Sequence, residues 1–458
     1  MLRTLAPWLI KLFNQSGTIP LALVVGTLLV FLRTMVPTLY TFDSPEFVTG
    51  AYTLGFVHAP GYPFYLIILH LFLKLPVGDI AVRGNILSAL MLACTAPFVF
   101  WTLCNLIGDR RYTRPIAVSV TVLGMVSYYV WLSGLFTEIY AFQNLTVMIT
   151  LYSLSCFTLR RTSNESNLRL WTPALVIGSS LAFGLAVAAH PSSALFGLGL
   201  AVAFLVHRVP FRWCVMGGLI SVTIAVVPLL YFPIRFAASP TFSIAGQYNA
   251  QGLFSAEPLN TWQGVLWMIS GRQFDSLFFS DGFLPSFSQL GRLFSLFFGE
   301  FLGFGVLVGV YGIWIMRQHS TVSLLTYWIA LFIPVTYFYT TYNAPDVDTM
   351  FGPSFLLWTI PLAFGLRALI EGMKPIFQFG ILILLPLTLF LVNFPLVDLH
   401  DQGIVRVRAE NILKSAPPDA IVFANWGDIT PLVYLQKVEG ERPDIRLITC
   451  SLSMLTIS

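Results

Sequence analysis

Residues 376–395 read IFQFGILILLPLTLFLVNFP, without a single charged side chain. A helix of roughly 20 apolar residues crosses the hydrocarbon core of a bilayer. The chain contains ten further apolar stretches of comparable length, with approximate limits 18–36, 84–107, 115–135, 139–159, 171–189, 192–207, 213–234, 293–316, 321–340 and 353–371. The sequence therefore predicts an all-α membrane protein with about eleven transmembrane helices.

The composition excludes an ordinary soluble domain. The 458 residues are 56% hydrophobic and 10% charged, and the mean hydropathy is +0.79. Soluble domains carry about a quarter charged residues. Lipid accepts apolar outer faces that water does not. The net charge of +4 is modest, and we interpret it as a topology signal and not as affinity for nucleic acid.

Basic residues occur on alternate sides of the predicted spans. With a cytoplasmic N-terminus, the inner loops hold Arg110, Arg111, Arg114, Arg160, Arg161, Arg169, Arg208, Arg212, Arg317, Arg367 and Lys374. This is the distribution that the positive-inside rule requires. The first span follows Arg3 and Lys11 and is predicted to remain uncleaved. We therefore expect a multi-pass protein of the cell (inner) membrane, with the chain beyond Asp398 on the extracytoplasmic side.

The predicted outer loops hold most of the remaining charged residues. They are 37–83, a short loop at Glu138, the turn at His190, 235–292 and 341–352. A charged side chain near a membrane is costly unless it is paired or solvated, and such residues are functional candidates for that reason. The extracytoplasmic face is therefore the predicted location of the functional site.

The first outer loop reads TFDSPEF at 41–47 and GFVHAPGYP at 55–63. Pro45 suits the first turn of a short helix ending near Gly55, with Asp43 or Ser44 as its N-cap. A second interfacial helix is predicted over 64–75, after a rigid turn at His58. Asp43 has two interpretations at this point: a helix cap, or a carboxylate that shares one helix face with Glu46 and points into a cavity.

A series of short strings, in this order and on this side of the membrane, resembles the GT-C superfamily of membrane glycosyltransferases. The strings are DSPEF (43–47), HAPGYP (58–63), RGNILSAL (83–90), YFPIR (231–235), GRQF (271–274), YNAPDVD (342–348), NFP (393–395), WGD (426–428) and ERPD (441–444). Within that superfamily they are similar to a once-unassigned membrane-domain family that includes an animal O-mannosyltransferase acting on IPT domains. The likeness extends along most of the chain.

The resemblance implies an enzyme that transfers a sugar, mannose in the animal relative, from a polyprenyl-phosphate donor with inversion at the anomeric carbon. It implies Asp43 as the base, with Glu46 as second candidate or as an orienting partner. The acceptor hydroxyl would belong to a protein Ser or Thr, a lipid or a glycan. The predicted partners are this donor, this acceptor and membrane lipids.

A departing phosphate requires cationic or N–H donors. Arg235 and Arg272, near outer helix ends, are the predicted donors, although an interfacial arginine often only reaches toward lipid headgroups. Arg83 is expected either to bind substrate or to pair with Asp43 or Glu46.

Other polar residues of the outer loops are candidates for binding the sugar. Tyr342, Asp346 and Asp348 are candidates for substrate binding, and for the two acids the alternatives are sugar hydroxyls, a divalent cation or no ligand. A divalent cation there is the less favoured alternative, since Ca²⁺ and Mg²⁺ require more oxygen ligands than two acids supply. His58, Glu138 and His190 are predicted to line the same cavity. No cofactor and no metal ligand is assigned.

The C-terminal part has the pattern of a small α/β unit. A charged helix near 406–415 precedes a strand at 420–424, a helix at 429–438 and a strand at 445–449. Loops after parallel strands often bind ligands, which makes Asp428 a candidate. We divide the chain into a membrane domain, 1–397, and an extracytoplasmic segment, 398–458. The alternative function is a transporter or lipid-linked-sugar flippase, although neither an inverted repeat nor mid-membrane charges are evident.

Overall fold

The computed structural model describes residues 17–108, 112–162, 168–248, 254–318 and 322–449. Arg3, Lys11, Arg110 and Arg111, used above to assign sidedness, lie outside these ranges. The membrane part is built from α1 (Thr18–Thr34), α4 (Ile80–Ala93), α5 (Thr95–Ile107), α6 (Thr113–Met125), α8 (Ile139–Thr162), α9 (Leu168–Ala189), α10 (Phe196–Val206), α11 (Phe211–Val226), α15 (Phe304–Gln318), α16 (Val322–Thr341), α18 (Gly352–Ile370) and α19 (Pro375–Val397).

The connecting segments also contain regular structure. Their helices are α2 (Asp43–Thr53), α3 (Pro63–Leu73), α7 (Tyr128–Leu132), α12 (Tyr231–Ala237), α13 (Trp262–Ile269), α14 (Phe287–Glu300) and α17 (Val347–Met350). Short 3-10 helices occupy Pro191–Leu195, Val227–Leu230 and Arg272–Leu277. The strands β1 (Gly246–Tyr248) and β2 (Phe254–Ala256) form an antiparallel pair.

Each of the eleven predicted spans coincides with one helix or with consecutive helices. Within the described ranges, six helical segments are long and apolar enough to cross a membrane by length and composition, namely 80–107, 172–189, 211–237, 324–341, 352–370 and 375–397. A seventh is added if a bent pair is counted as one span. The all-α membrane fold is confirmed, and the count of eleven stays a prediction.

One predicted span, 293–316, is wrong as a continuous helix. The segment consists of α14 and α15, which meet at 101°. Leu302 and Gly303 have φ of 53° and 61° at the junction, values that a right-handed helix does not contain. The carboxylate of Glu300 accepts the backbone N–H groups of Tyr129 (3.1 Å) and Val130 (3.4 Å). This contact fixes the end of α14 against the start of α7.

Close packing of glycine residues joins α15 to α18. A Cβ on Gly312 would lie 1.8 Å from the carbonyl oxygen of Pro361, and a Cβ on Gly365 would lie 2.0 Å from that of Val308. Small residues allow helix backbones to approach this closely in a membrane protein. The crossing of these two helices therefore depends on the absence of side chains at two positions.

We expect Gly312→Ala to destabilise the fold by about 1–3 kcal/mol, because the new methyl group forces the two backbones apart. Thermal denaturation of the detergent-solubilised protein, followed by size-exclusion chromatography, measures this loss. Gly380→Ala in α19 is the matched control, since a Cβ there meets nothing within 4 Å. Equal stability of the two variants would contradict this account of the crossing.

An apolar groove of about 520 Å³ lies between α1, α6 and α19. Its walls include Leu23, Val30, Val122, Phe379 and Leu387. It contains none of the residues proposed for the site from the sequence. The groove and the polar site are therefore separate features of the membrane part.

The C-terminal part forms the predicted strand–helix–strand unit. It comprises α20 (Ile404–Ser415), β3 (Ile421–Ala424), α21 (Trp426–Lys437) and β4 (Arg446–Thr449), and β3 pairs with β4 in parallel. Arg406 of α20 bridges Glu439, at 2.5 Å, and Glu410, at 2.8 Å. Helix α21 packs on α2, the short helix of the first outer loop. The division of the chain at residue 397 stays a proposal.

Candidate active site

Asn85 of α4 anchors two of the chain segments that lead into the site. Its Nδ2 donates to the carbonyl oxygens of Val36 and Thr38, both at 3.0 Å. Its Oδ1 accepts the backbone N–H of Thr137 at 2.9 Å. The beginning of the first outer loop and the residue before Glu138 are thus held by one side chain that is only 1% exposed.

The turn after α2 is rigid, as predicted. The N–H of Gly61 donates to the carbonyl oxygen of His58 at 2.8 Å. Gly61 has φ of 82°, and a Cβ there would lie 2.6 Å from the side chain of Met268 and 2.8 Å from that of Phe232. Only glycine satisfies both the backbone conformation and this close approach. The turn places the imidazole of His58 against the first turn of α2.

Glu46 and His58 form a buried ion pair. One carboxylate oxygen of Glu46 accepts the backbone N–H of His58 at 2.6 Å, and the other contacts its Nδ1 at 2.8 Å. The two residues are 1% and 7% exposed. Burial alone lowers the pKa of His58, but the carboxylates of Glu46 and Asp43 outweigh burial and raise this pKa to about 10. His58 is therefore an imidazolium at neutral pH.

Asp43 faces the other nitrogen of the same imidazole. Its Oδ2 lies 3.9 Å from His58 Nε2, and its side chain retains 19% exposure. Its Oδ1 accepts the indole N–H of Trp426 at 2.6 Å. Burial is the largest influence on the pKa of Asp43 and raises it. His58 lowers this pKa, the Glu46 carboxylate raises it, and the Trp426 hydrogen bond lowers it. The result is a carboxylate of raised basicity that is not closed off from its surroundings.

The interpretation of Asp43 as a helix cap is wrong. Asp43 is the first residue of α2, Phe42 occupies the cap position, and the helix has no side-chain cap. The Asp43 carboxylate is turned instead toward His58 and Trp426. The alternative interpretation places Asp43 and Glu46 on one helix face, and both carboxylates do face His58; a cavity at this position stays a prediction.

Further acids face this group from other segments. Burial and then the Asp43 carboxylate raise the pKa of Asp346 to about 6. Burial and the same carboxylate also raise the pKa of Glu138, at the start of α8. Asp346 accepts the phenol O–H of Tyr140 at 3.3 Å. The structure thus brings Asp43, Glu46, His58, Glu138 and Asp346 to one place, although 303 positions separate the first from the last of them in sequence.

Aromatic rings line the same place. The ring of Tyr62 lies 5.5 Å from those of both His58 and His190. His190 contacts the hydroxyl of Ser192 through Nδ1 at 2.7 Å. Tyr342 is 8% exposed, and the Asp43 and Asp346 carboxylates contribute to raising its pKa, after burial. His190 and Tyr342 therefore lie near the group, and their role in substrate binding stays a prediction.

Arg83 and Arg235 donate hydrogen bonds to backbone carbonyl oxygens and not to the acids of the site. Arg83 donates from Nη1 to the carbonyl oxygen of Leu73 at 2.6 Å and caps the end of α3, so the predicted pairing with Asp43 or Glu46 is wrong. Arg235 donates from Nε to the carbonyl oxygen of Leu54 at 2.8 Å. Leu54 follows the C-terminal end of α2, about 15 Å along the helix from Asp43. In this structure Arg235 stabilises the opposite end of the helix that carries the acids.

Arg272 and Asp348 are close in sequence to residues at the site, since Arg272 precedes Gln273 and Asp348 follows Asp346 by two positions. Arg272 is 64% exposed, 3.9 Å from Asp275. Asp348 accepts the O–H of Tyr129 at 3.2 Å and lies 4.0 Å from Nε of Arg292. Both residues stay predictions for substrate binding.

Sequence reasoning missed Trp426, Gln273 and Phe274. Gln273 accepts the N–H of Ala59 at 2.9 Å, and the ring of Phe274 lies 5.8 Å from that of His58. All three residues lie in the GRQF and WGD strings, close to the charged residues Arg272 and Asp428. Asp428, the candidate of the second string, pairs instead with Arg408 at 2.9 Å.

Asp43, Glu46 and His58 also have the composition of a cation site, with ligand atoms within 4.8 Å of one another. The contacts favour an ion-paired cluster over a metal centre. Both oxygens of Glu46 are engaged by His58, and a metal ion would have to replace these bonds and repel the imidazolium. We therefore assign no metal to these three residues.

Comparison with known proteins agrees with the resemblance. Residues 43–212 match the family model of the N-terminal domain of the protein O-mannosyl-transferase TMEM260. The mouse (Mus musculus) protein O-mannosyl-transferase TMEM260 is 32% identical over 121 residues, which are 26% of this chain and 16% of the mouse protein. The aligned part thus spans about a sixth of that relative's length. The predicted family resemblance is confirmed over this region.

Two solved structures share the fold. ArnT from Cupriavidus metallidurans, bound to undecaprenyl phosphate, superimposes with a TM-score of 0.53 at 10% identity, over 93% of this chain and 88% of ArnT. The oligosaccharyltransferase of Archaeoglobus fulgidus, tethered to an acceptor peptide containing the NVT sequon, gives 0.57 at 11% identity, over 95% of this chain and 64% of that enzyme. The chain therefore shares the fold of these two membrane enzymes, in agreement with the fold that the sequence predicts.

Proposed function

We propose that this chain, whose residues 43–212 match the N-terminal domain of a protein O-mannosyltransferase family, is an inverting membrane glycosyltransferase. It moves a sugar from a polyprenyl phosphate to an acceptor hydroxyl. The observation that carries the proposal is the Asp43 carboxylate: partly exposed, raised in pKa, and held by His58 and Trp426 at the start of an outer-loop helix of a GT-C fold.

The reaction is one displacement at the anomeric carbon. The acceptor oxygen forms a bond to that carbon, the bond from the carbon to the phosphate oxygen breaks, and polyprenyl phosphate departs with the electron pair. The acceptor proton passes to Oδ2 of Asp43, because Oδ1 is already engaged by Trp426. A carboxylate of raised pKa accepts a proton more readily than an ordinary one.

Glu46 acts as a positioning partner and not as the base. Both of its oxygens are engaged by His58, so neither is free to accept a substrate proton. The pair holds an imidazolium against Asp43 and favours the ionised form of that carboxylate. The engaged oxygens support the orienting role, one of the two roles that the sequence left open for Glu46.

The donor and the acceptor are inferred from the relatives. The ArnT structure contains undecaprenyl phosphate, and the mouse relative is named a protein O-mannosyltransferase. These names support a polyprenyl-phosphate mannose donor and a protein Ser or Thr acceptor for this chain. Arg272, which precedes Gln273, and Arg292, 4.0 Å from Asp348, are the cations proposed to contact the phosphate. The chain is an integral membrane protein, and we place the reaction on its extracytoplasmic face.

We expect the purified protein, reconstituted in liposomes with polyprenyl-phosphate [³H]mannose and Ser/Thr-containing peptides, to place the label on the peptides. Mass spectrometry locates the modified residue, and NMR of the product reports the inverted anomeric configuration. Liposomes without protein are the control. Movement of labelled donor across the bilayer without peptide labelling would contradict the proposal and favour a flippase.

A further inference from the structure

We propose that Trp426 of the C-terminal unit is a positioning residue of the active site, and that this unit is therefore part of the catalytic apparatus. The inference rests on the proposed function. It goes beyond it because residues 426–430 lie outside the matched region 43–212. The observation is a set of hydrogen bonds from the first turn of α21 to residues 41–43.

Three consecutive residues of the first outer loop are bound by α21. The hydroxyl of Thr41 donates to the carbonyl oxygen of Gly427 at 2.7 Å. The hydroxyl of Thr430 donates to the carbonyl oxygen of Phe42 at 2.5 Å. The indole of Trp426 donates to Asp43 at 2.6 Å. These contacts fix the backbone and the side chain at the point where α2 begins.

Residues 41–43 and the first turn of α21 approach each other closely. Phe42 has φ of 56°, a conformation that costs free energy in a residue other than glycine and persists only where its surroundings enforce it. A Cβ at Gly427 would lie 2.9 Å from the hydroxyl of Thr41, so a side chain there would displace the hydroxyl that binds α21. The side chain of Asn425 caps α21 by accepting the N–H of Asp428 at 3.1 Å. The first turn of α21 is therefore held in place independently of Asp43.

The choice of tryptophan follows from its chemistry. An indole N–H donates one hydrogen bond and accepts none, so it stabilises the ionised carboxylate and does not exchange protons with it. With Oδ1 occupied, Oδ2 is the oxygen left for the acceptor hydroxyl. This orientation would be lost if the carboxylate were free to rotate.

The Trp426 hydrogen bond also opposes the influences that raise the pKa of Asp43. Burial raises the pKa of Asp43, and the Trp426 hydrogen bond lowers it. The ionisable groups that face Asp43 across the cluster are Glu46, His58, Tyr62, Glu138, Tyr140, Tyr342 and Asp346. Of these only His58 is cationic at neutral pH, so the indole is a second, uncharged source of stabilisation for the carboxylate.

Trp426→Phe removes the N–H and keeps an aromatic ring. We expect the acidic limb of the pH profile of kcat/KM to move to higher pH by about one pH unit, because the pKa of Asp43 rises when a hydrogen bond to the charged form is lost. At a pH on that limb, kcat should fall about tenfold while KM for the donor stays unchanged. Trp314→Phe is the matched control, on a side chain that is 50% exposed on α15.

A second variant tests whether a folding defect, and not the loss of the N–H, causes the change in the pH profile. Benzothienylalanine at position 426, introduced by nonsense suppression, has the shape of tryptophan and sulfur in place of the N–H. It should shift the pH profile as Trp426→Phe does while denaturing at the wild-type temperature. A profile identical to that of the wild type in both variants would overturn the inference.

A readout that needs no transfer separates this inference from the proposed function. Carbodiimides label protonated carboxyl groups, and peptide mass spectrometry locates the label at Asp43. The pH midpoint of this labelling should rise in both variants and not in Trp314→Phe. Absence of transfer by the wild type would reject the proposed function, whereas unchanged labelling midpoints would reject the role of Trp426.

Discussion

Asp43→Asn should lower kcat for sugar transfer by about 10²–10⁴-fold, the usual contribution of a general base. The amide has the size of the carboxylate, and its oxygen can still accept the indole N–H of Trp426. The variant therefore keeps the geometry and loses the group that accepts the acceptor proton. Transfer from polyprenyl-phosphate [³H]mannose to a Ser/Thr peptide, in reconstituted liposomes, measures the change.

Asp401→Asn is the matched control for this substitution. Asp401 is also on the predicted outer side, but its side chain is 85% exposed and pairs with His400 at 3.0 Å. It should transfer at the wild-type rate. Asp43→Glu, which keeps the charge and displaces it by about 1 Å, should lose about 10²-fold, the cost of a misplacement of that size. Wild-type turnover by a correctly folded Asp43→Asn protein would remove Asp43 from the mechanism.

The membrane helices could be predicted because their signal is local. Residues 352–370 and 375–397 are recognised from length and apolar composition alone, and both are helices in the structure. The break between α14 and α15 could not be predicted in this way. At the break, Glu300 accepts the backbone N–H of Tyr129, which precedes it by 171 residues in sequence. Hydropathy does not register such a contact.

The site was predictable where its parts are close in sequence. Asp43, Glu46 and His58 lie within one loop, and a helix start followed by a rigid turn suffices to bring them together. The contact of Trp426 with Asp43 joins residues 383 positions apart. Trp426 and Asp428 belong to the same WGD string, and a charged residue is the more familiar sign of a site in a sequence.

The role of an arginine residue could not be predicted from the sequence for a different reason. Arg235 is a cation at an outer helix end, which is the pattern of a phosphate ligand and equally the pattern of a helix cap. Its partner, the carbonyl oxygen of Leu54, is a backbone atom and leaves no trace in the sequence. Only the position of α2 distinguishes the two roles, and that position is a property of the folded chain.

Glu46→Ala should destabilise the protein by about 3–5 kcal/mol, the cost of removing one partner of a buried ion pair. The backbone N–H and the Nδ1 of His58 lose their acceptors, and the imidazolium retains only Asp43, 3.9 Å from its Nε2. Thermal denaturation in detergent measures the loss. Glu410→Ala removes ion pairs to Arg406 and Lys414 on the outside of α20, and it should have a small effect, because such pairs contribute little.

The pH dependence of this loss identifies its cause. The pKa of His58 is raised from 6.5 to about 10 in the folded protein, so the ion pair contributes its full stability below pH 6.5 and loses it as the pH rises through about 10. The difference between wild type and Glu46→Ala should therefore be largest near pH 6.5 and diminish toward pH 10. Removal of both partners in Glu46→Ala/His58→Ala should cost less than the sum of the single losses, since no unpaired charge remains. A pH-independent, additive loss would mean that Glu46 stabilises the loop by packing, and His58 would then not be the cation that keeps Asp43 ionised.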